Sequence, residues 1–144
     1  MHHAIPTLLD YFKREGYVAH VDDDGDIVFK REGMNYALCF DREDPEFSKL
    51  LLPNVWCVDT PEERAFVLHA MNEINRRYKA IKIHTVDDQV WLAVEMWLVD
   101  QADWTVHLPR AVRALSHALF RFAEQMRISV EEARGANETR RLNH

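Results

Sequence analysis

Apolar residues recur every three or four positions at the beginning of the chain. Four of them share the spacing of a helix that buries one face: Ile5, Leu8, Leu9 and Phe12. Gly16 can end this helix, because glycine adopts the left-handed backbone conformation without steric strain. The pattern therefore predicts a short first helix with one buried face.

The pattern then changes to alternation. Residues 17–22, 26–31 and 34–40 each alternate apolar side chains with polar or small ones, which is typical of strands with one buried face. Gly25 and Gly33 lie in the two connections and suit tight turns. The three segments are predicted to form an antiparallel meander.

A clear helix start follows a less regular stretch. Residues 41–48 are a charged loop, and residues 50–58 are predicted as a fourth extended segment, kinked or at an edge because its proline cannot donate to a sheet. Thr60 and Glu63 then match a helix capping box. They predict a helix over 61–78.

Two more strands are predicted over 80–86 and 90–99. Both alternating faces of the second are largely apolar, so we expect this strand to be central or covered on both sides. Residues 100–107 are predicted as a polar loop containing a tryptophan, and Pro109 is expected to open a long helix. A second capping box at Ser129 predicts one or two additional helical turns.

The resulting order, α-β-β-β-(β)-α-β-β-α, predicts an α+β fold. Short hairpin connections favour an antiparallel sheet, and the amphipathic helices must cover it, which gives a two-layer sandwich. We expect one domain over residues 1–134 and a disordered basic tail over 135–144.

Composition and charge narrow the function classes. The chain has 144 residues, 47% of them hydrophobic, and a formal net charge of −6. An acidic body repels nucleic-acid backbones and anionic membrane surfaces, so we expect neither as a partner. Cys39 and Cys57 have no metal-ligand spacing and the start of the chain lacks signal-peptide features, which predicts a cytoplasmic protein with free thiols. A disulfide between them is the alternative.

The sequence carries no recognisable catalytic motif. The acidic stretch 22–26 invites a calcium-loop interpretation, but alignment on Gly25 places Arg31 where the loop needs a bidentate carboxylate. We interpret it as an acidic hairpin turn. The eight histidines lack a metal-binding spacing, and no nucleophile elbow or glycine-rich phosphate loop is present. We therefore expect no enzyme activity, no cofactor and no metal site.

Tryptophans are the most informative candidates for a binding site. Trp91 and Trp97 share one face of the strand over 90–99. If helices cover only the opposite face, both indoles are left for a partner or dimer interface; otherwise the chain itself buries them. Trp56 is a weaker candidate for the same interface. Exposed sheet edges offer a second route, by addition of a partner strand.

A basic stripe marks the predicted last helix. It consists of Arg110, Arg113, His117 and Arg121, spaced so that all four lie on the outside of the helix. Such stripes are usually solvated helix faces. The alternative is a docking surface for an acidic partner.

The sequence also resembles a known family. Residues 72–75 (Asn-Glu-Ile-Asn) on a helix that leads into the strand at 80–83, followed by an apolar strand and a long closing helix, resemble the YbjN-type family of bacterial sensory-transduction regulators. The resemblance spans residues 5–127. It implies the fold of class I type III secretion chaperones, which are small, acidic, usually homodimeric proteins that bind extended protein segments. It implies no catalytic residues and gives Asn72 and Asn75 structural hydrogen bonds.

Together these observations predict a bacterial, cytoplasmic, non-catalytic protein-binding module with a regulatory or chaperone-like role. We expect a homodimer that binds a protein partner or peptide segment through an apolar sheet face or a sheet edge. The alternative is a signalling regulator without chaperone activity that binds a small ligand between the sheet and the helices.

Overall fold

A computed structural model describes residues 2–143. In chain order the elements are α1 (Ile5–Arg14), β1 (Ala19–Val21), β2 (Ile27–Arg31), β3 (Met34–Phe40), β4 (Phe47–Cys57), α2 (Pro61–Arg77), β5 (Ile81–Val86), β6 (Gln89–Trp97), a 3-10 turn (Gln101–Asp103) and α3 (Trp104–Leu142). The strands form one antiparallel sheet in the order β1-β2-β3-β4-β6-β5. The predicted α+β sandwich and its element order are confirmed.

The first two hairpins form where the sequence predicts them. In the β1–β2 turn, one carboxylate oxygen of Asp22 accepts hydrogen bonds from the backbone N–H groups of Asp24, at 3.0 Å, and Asp26, at 2.9 Å. Gly25 follows at a φ of 83°, and Gly33 has a φ of 78° in the β2–β3 turn. Both values lie in the left-handed region, which explains why glycine occupies these positions.

All three helices lie on one face of the sheet. Their buried side chains form one core cluster with alternate strand residues, among them Ile27, Leu38, Leu50, Leu92 and Val94. The helices also contact one another, α2 with α3 and α1 with α3, so they build a single layer. Within residues 2–143, the opposite face of the sheet has no helix over it, and we call it the open face.

Strand β4 is longer than the sequence predicts. It begins at Phe47, inside the segment predicted as a loop, and it continues through Pro53 to Cys57. Its register against β6 shifts between Leu52 and Trp56, where Asn54 adopts a φ of 54°. The predicted kink therefore takes the form of a β-bulge within one continuous strand.

Helix α2 begins as predicted. The Thr60 hydroxyl accepts a hydrogen bond from the Glu63 N–H at 3.1 Å. The Glu63 carboxylate does not complete the reciprocal half of a capping box. It accepts instead from the Asp59 N–H at 3.2 Å and from the Trp56 indole N–H at 2.6 Å. The cap thus also fixes the end of β4.

Helix α3 differs from the prediction at both ends. It begins at Trp104 rather than Pro109, because a buried polar network holds its first turn: the indole of Trp104 donates to Ser48 at 2.7 Å, and Ser48 donates to Gln101 at 2.5 Å. The Gln101 amide donates to three backbone carbonyls, those of Pro45, Glu46 and Leu98. This network joins the start of β4 to the end of β6.

The far end of α3 contains no second start. The helix is continuous through Ser129, where the second capping box was predicted, and through Gly135 to Leu142. Over 135–142, the segment predicted as a disordered tail is helical, and its side chains are exposed. His144 lies outside the described residues. An exposed ion pair between Arg127 and Glu131, one turn apart at 3.2 Å, precedes this segment.

Candidate functional site

The open face is centred on β4 and β6. Their register places Phe47 opposite Trp97, Lys49 opposite Glu95 and Leu51 opposite Ala93. Ala93 is only 1% exposed and Leu51 8%, although neither belongs to the core cluster under the helices. The centre of the open face therefore has a small apolar layer of its own.

Two indoles flank this layer on β6. Trp97 is 78% exposed at the end of the strand. Trp91 is half-buried, and its indole N–H donates to the side-chain oxygen of Asn54 at 2.9 Å. Six residues separate the two tryptophans, which corresponds to about 20 Å along a strand. Helices cover the other face of β6, so both tryptophans lie on the open one.

Charged side chains lie between the two indoles. The Lys82 ammonium on β5 contacts the Glu95 carboxylate at 3.2 Å, and Lys49 is paired with Glu95 in the sheet register. The open face therefore has aromatic rings at its ends, an apolar layer at its centre, and charged side chains beside that layer. This arrangement can accept an extended segment that carries apolar side chains at intervals, because strand side chains alternate in direction.

Trp56 is not part of this surface. Its ring packs edge-to-face against Phe122 of α3, with ring centres 5.7 Å apart, and its indole N–H is used by Glu63. It lies on the helix-covered face, because the register places it opposite the fully buried Val90. The three predicted interface tryptophans thus divide into two on the open face and one against the core.

Phe47 also belongs to this surface, although its sequence context predicts a loop. The acidic residues before it led to its assignment to a loop, whereas it begins β4 and lies opposite Trp97. Alternation was the available signal: Phe47, Lys49 and Leu51 share one face, and Ser48, Leu50 and Leu52 share the other.

The two edges of the sheet differ in how their backbone groups are used. On the β5 edge, the side-chain amide of Asn75 donates to the Ile83 carbonyl at 3.0 Å and accepts from the Ile83 N–H at 2.9 Å. Asn75 therefore occupies both backbone groups at the middle of this edge and ties α2 to the sheet, the structural role that the resemblance implies. In the described chain, Asn72 makes no such bond. On the other edge, β1 has three residues, and Val18 before it is exposed.

The acidic hairpin brings three carboxylates together. Oxygens of Asp22, Asp24 and Asp26 lie within 4.8 Å of one another. Asp22 already accepts two backbone N–H groups, and Asp26 accepts the Phe40 N–H at 3.2 Å. Burial raises the pKa of the Asp26 carboxyl. Asp22 thus satisfies backbone donors of the turn and Asp26 satisfies one of β3, in agreement with the interpretation of the stretch as an acidic hairpin.

Both cysteines are free thiols. Cys39 is half-buried on β3, on the open-face side, and Cys57 is exposed at the end of β4. Burial, reinforced by the nearby Asp26 carboxylate, raises the pKa of the Cys39 thiol to about 12. This thiol is therefore a poor nucleophile near neutral pH, since the thiolate is the reactive species.

Comparisons with known proteins agree with the fold and identify a family. The sequence model of the family described as T3SS (YopN, CesT) and YbjN peptide-binding chaperone 1 matches residues 6–135. A comparison with curated proteins finds no significant match. No helix within residues 2–143 is both long enough and apolar enough to cross a membrane.

Two solved structures are similar in fold. One is YbjN from E. coli, with a TM-score of 0.57 and 11% identity, over 80% of this chain and 87% of that one. The other is the Yersinia pestis type III secretion chaperone SycH in complex with a fragment of YscM2, with a TM-score of 0.57 and 12% identity, over 83% and 98% of the two chains. Because the family match spans nearly the whole sequence, the chain belongs to the T3SS and YbjN peptide-binding chaperone family.

Proposed function

We propose that this protein is a bacterial, cytoplasmic, non-catalytic module that binds an extended apolar segment of a partner protein on its open face. The observation that carries the proposal is the placement of all three helices on one side of the sheet, which leaves Trp97 78% exposed. Trp97, Phe47 and Trp91 are the proposed anchors for the partner. The role of such binding is regulatory or chaperone-like.

Burial of Trp97 supplies the largest single contribution in this proposal. Tryptophans bury upwards of about 150 Å² and apolar area stabilises by about 25 cal/mol per Å², so covering the exposed part of this ring contributes roughly 3 kcal/mol before the cost of ordering the partner. The central Lys82–Glu95 pair keeps the free surface hydrated and favours a segment with polar residues between its apolar ones.

A homodimer is part of the proposal. The same exposed aromatic surface suits a second copy of the chain, because tryptophan is enriched at protein interfaces. Light scattering coupled to gel filtration distinguishes a species at the protomer mass of 17.0 kDa from one at twice that mass. A monomer at all concentrations would remove the dimer from the proposal and leave peptide binding to be tested separately.

The test of peptide binding is a screen of an array of extended peptides against the wild-type protein. We expect retained peptides to carry spaced apolar residues. We expect Trp97→Ala to weaken the binding of these peptides at least about tenfold. The matched control is Leu68→Ala, which removes an exposed apolar side chain on the outside of α2. It should leave binding unchanged.

Equal weakening by the two variants would contradict the assignment of the site to the open face. An array without retained peptides, together with a thermal shift on addition of metabolites, would instead support the small-ligand regulator. The first result tests where the peptide binds, and the second tests whether the ligand is a peptide or a small molecule.

A further inference from the structure

Helix α3 presents a second surface on the other side of the molecule from the open face. Its side chains recur at intervals of three and four along the outside of the helix: Val106, Arg110, Arg113, His117 and Phe120. We propose that this outer α3 surface binds an acidic amphipathic helix of a protein partner. It lies apart from the open face, so the inference does not rest on the proposed function.

The charge of this segment is opposite to that of the rest of the protein. Residues 104–123 contain three arginines and no aspartate or glutamate. They carry a charge of +3 in a chain of net charge −6, so the remaining residues carry −9. An acidic segment is attracted to this helix and repelled by the surface around it, which orients its approach.

The two central arginines are free to bind such a segment. No carboxylate of the described residues lies within ion-pair distance of Arg110 or Arg113. By contrast, Arg121 is paired with Glu124 at 3.2 Å, and Arg127 with Glu131. Arginine presents a fixed fork of N–H donors, which suits carboxylates of a partner.

Apolar side chains lie at both ends of the same surface. Val106 is 73% exposed and Phe120 is 65% exposed. Fourteen residues separate them, which is about 21 Å along a helix. A partner helix of about four turns therefore spans both contacts and places its carboxylates against the arginines between them.

The grooves on each side of α3 also combine apolar and basic side chains. One of about 310 Å³ has a floor that includes Val94 and Met96, with Lys79 and Arg110 at its rim. The other, of about 600 Å³, includes Tyr36, Val112 and Phe120. Its charged or basic lining residues are Arg31, Arg113 and His117, together with one carboxylate, that of Glu32. Because apolar walls accompany the cations, the surface fits a peptide better than a nucleic-acid backbone, whose recognition relies mainly on charge.

The probe for this surface is a labelled helical peptide of roughly 18 residues, with leucines on one face and glutamates on the other. A matched peptide carries lysine at every glutamate position. Fluorescence anisotropy should show binding of the acidic peptide and at least roughly tenfold weaker binding of the basic one, with a loss of affinity as salt is raised. Equal binding of both peptides would overturn the proposal.

Charge reversal locates the site. The double variant Arg110→Glu/Arg113→Glu should weaken binding of the acidic peptide at least roughly tenfold. The double variant Arg134→Glu/Arg140→Glu should leave this binding unchanged. The control makes the same change of charge at exposed positions of the same helix, beyond the proposed surface. Equal losses of peptide affinity in the two variants would show that net charge alone drives binding. The assignment of the site to the outer α3 surface would then be wrong.

Two further variants separate the remaining possibilities. Trp97→Ala should retain the acidic peptide, which keeps this surface distinct from the open face. Phe120→Ala should weaken binding of the peptide severalfold, because the Phe120 ring is one of the proposed apolar contacts. If Phe120→Ala has no effect and single-stranded DNA displaces the peptide, the surface is a site for polyanions and the proposal of a peptide is overturned.

Discussion

The two faces of the sheet are built from alternate residues of the same strands, yet they have opposite characters. On β6, Leu92 is completely buried beneath the helices, whereas Trp97 on the other face is 78% exposed. The helix-covered face is lined almost entirely with apolar side chains, and the open face combines aromatic rings with a lysine–glutamate pair. One strand can thus serve stability with one set of side chains and recognition with the other.

The largest expected difference between the faces is in stability. Leu92→Ala should lower the free energy of unfolding by about 2–5 kcal/mol, because it leaves a cavity in the core. Trp97→Ala should change it by less than about 0.5 kcal/mol, as is usual for exposed positions. Urea titration followed by circular dichroism measures both. Similar losses would mean that the open face is part of the core.

The buried network at the start of α3 gives the next largest effect. Gln101→Met should lower the free energy of unfolding by about 2–3 kcal/mol, because it removes the hydrogen bonds that this amide donates to three carbonyls and the one that it accepts from the Ser48 hydroxyl. The control is Gln125→Met, farther along α3, which removes one side-chain hydrogen bond of 3.4 Å to Ser129. We expect that change to cost less than about 0.5 kcal/mol in the same urea titration.

Asn75→Ala should lower the free energy of unfolding by about 1–2 kcal/mol, because it removes both hydrogen bonds to the backbone of Ile83. It should also speed hydrogen exchange of the Ile83 amide, which is measured by NMR. Asn72→Ala is the matched control on the same helix and should leave exchange at Ile83 unchanged. Unchanged exchange in Asn75→Ala would mean that this side chain does not protect the β5 edge.

The last prediction concerns pH and Cys39, and its effect is confined to alkaline conditions. The pKa of this thiol is raised to about 12 in the folded protein, above its ordinary value of 9.0, so folding favours the protonated form. Its contribution to stability is present below about pH 9 and is lost as the pH rises toward 12. Cys39→Ala should therefore flatten the decline of stability over that interval. An unchanged pH profile of unfolding would contradict the assigned pKa.

The regular parts of the fold follow from local sequence. Alternation and glycine turns locate β2 and β3, and Thr60 locates the start of α2, because each depends on neighbouring residues only. The start of α3 does not, since Trp104 is held by Ser48, which is distant in sequence. The hydrophobic pattern of the last helix also contains no signal that marks its continuation to Leu142.

The candidate site can be predicted from the sequence only in part, because only some of its features depend on neighbouring residues alone. Period-two spacing places Trp91 and Trp97 on one face of β6 without knowledge of the fold. Their exposure depends on which face the helices cover, which is a property of the assembled molecule. Trp56 illustrates the limit, because only the packing of α3 brings Phe122 against its ring.

The most direct test of the open face as the binding surface is an NMR titration of the four indole N–H signals with a peptide retained on the array. The account predicts that the signals of Trp91 and Trp97 shift on binding, while those of Trp56 and Trp104, which donate to Glu63 and Ser48, stay in place. Shifts confined to Trp56 and Trp104, with those of Trp91 and Trp97 unchanged, would contradict it.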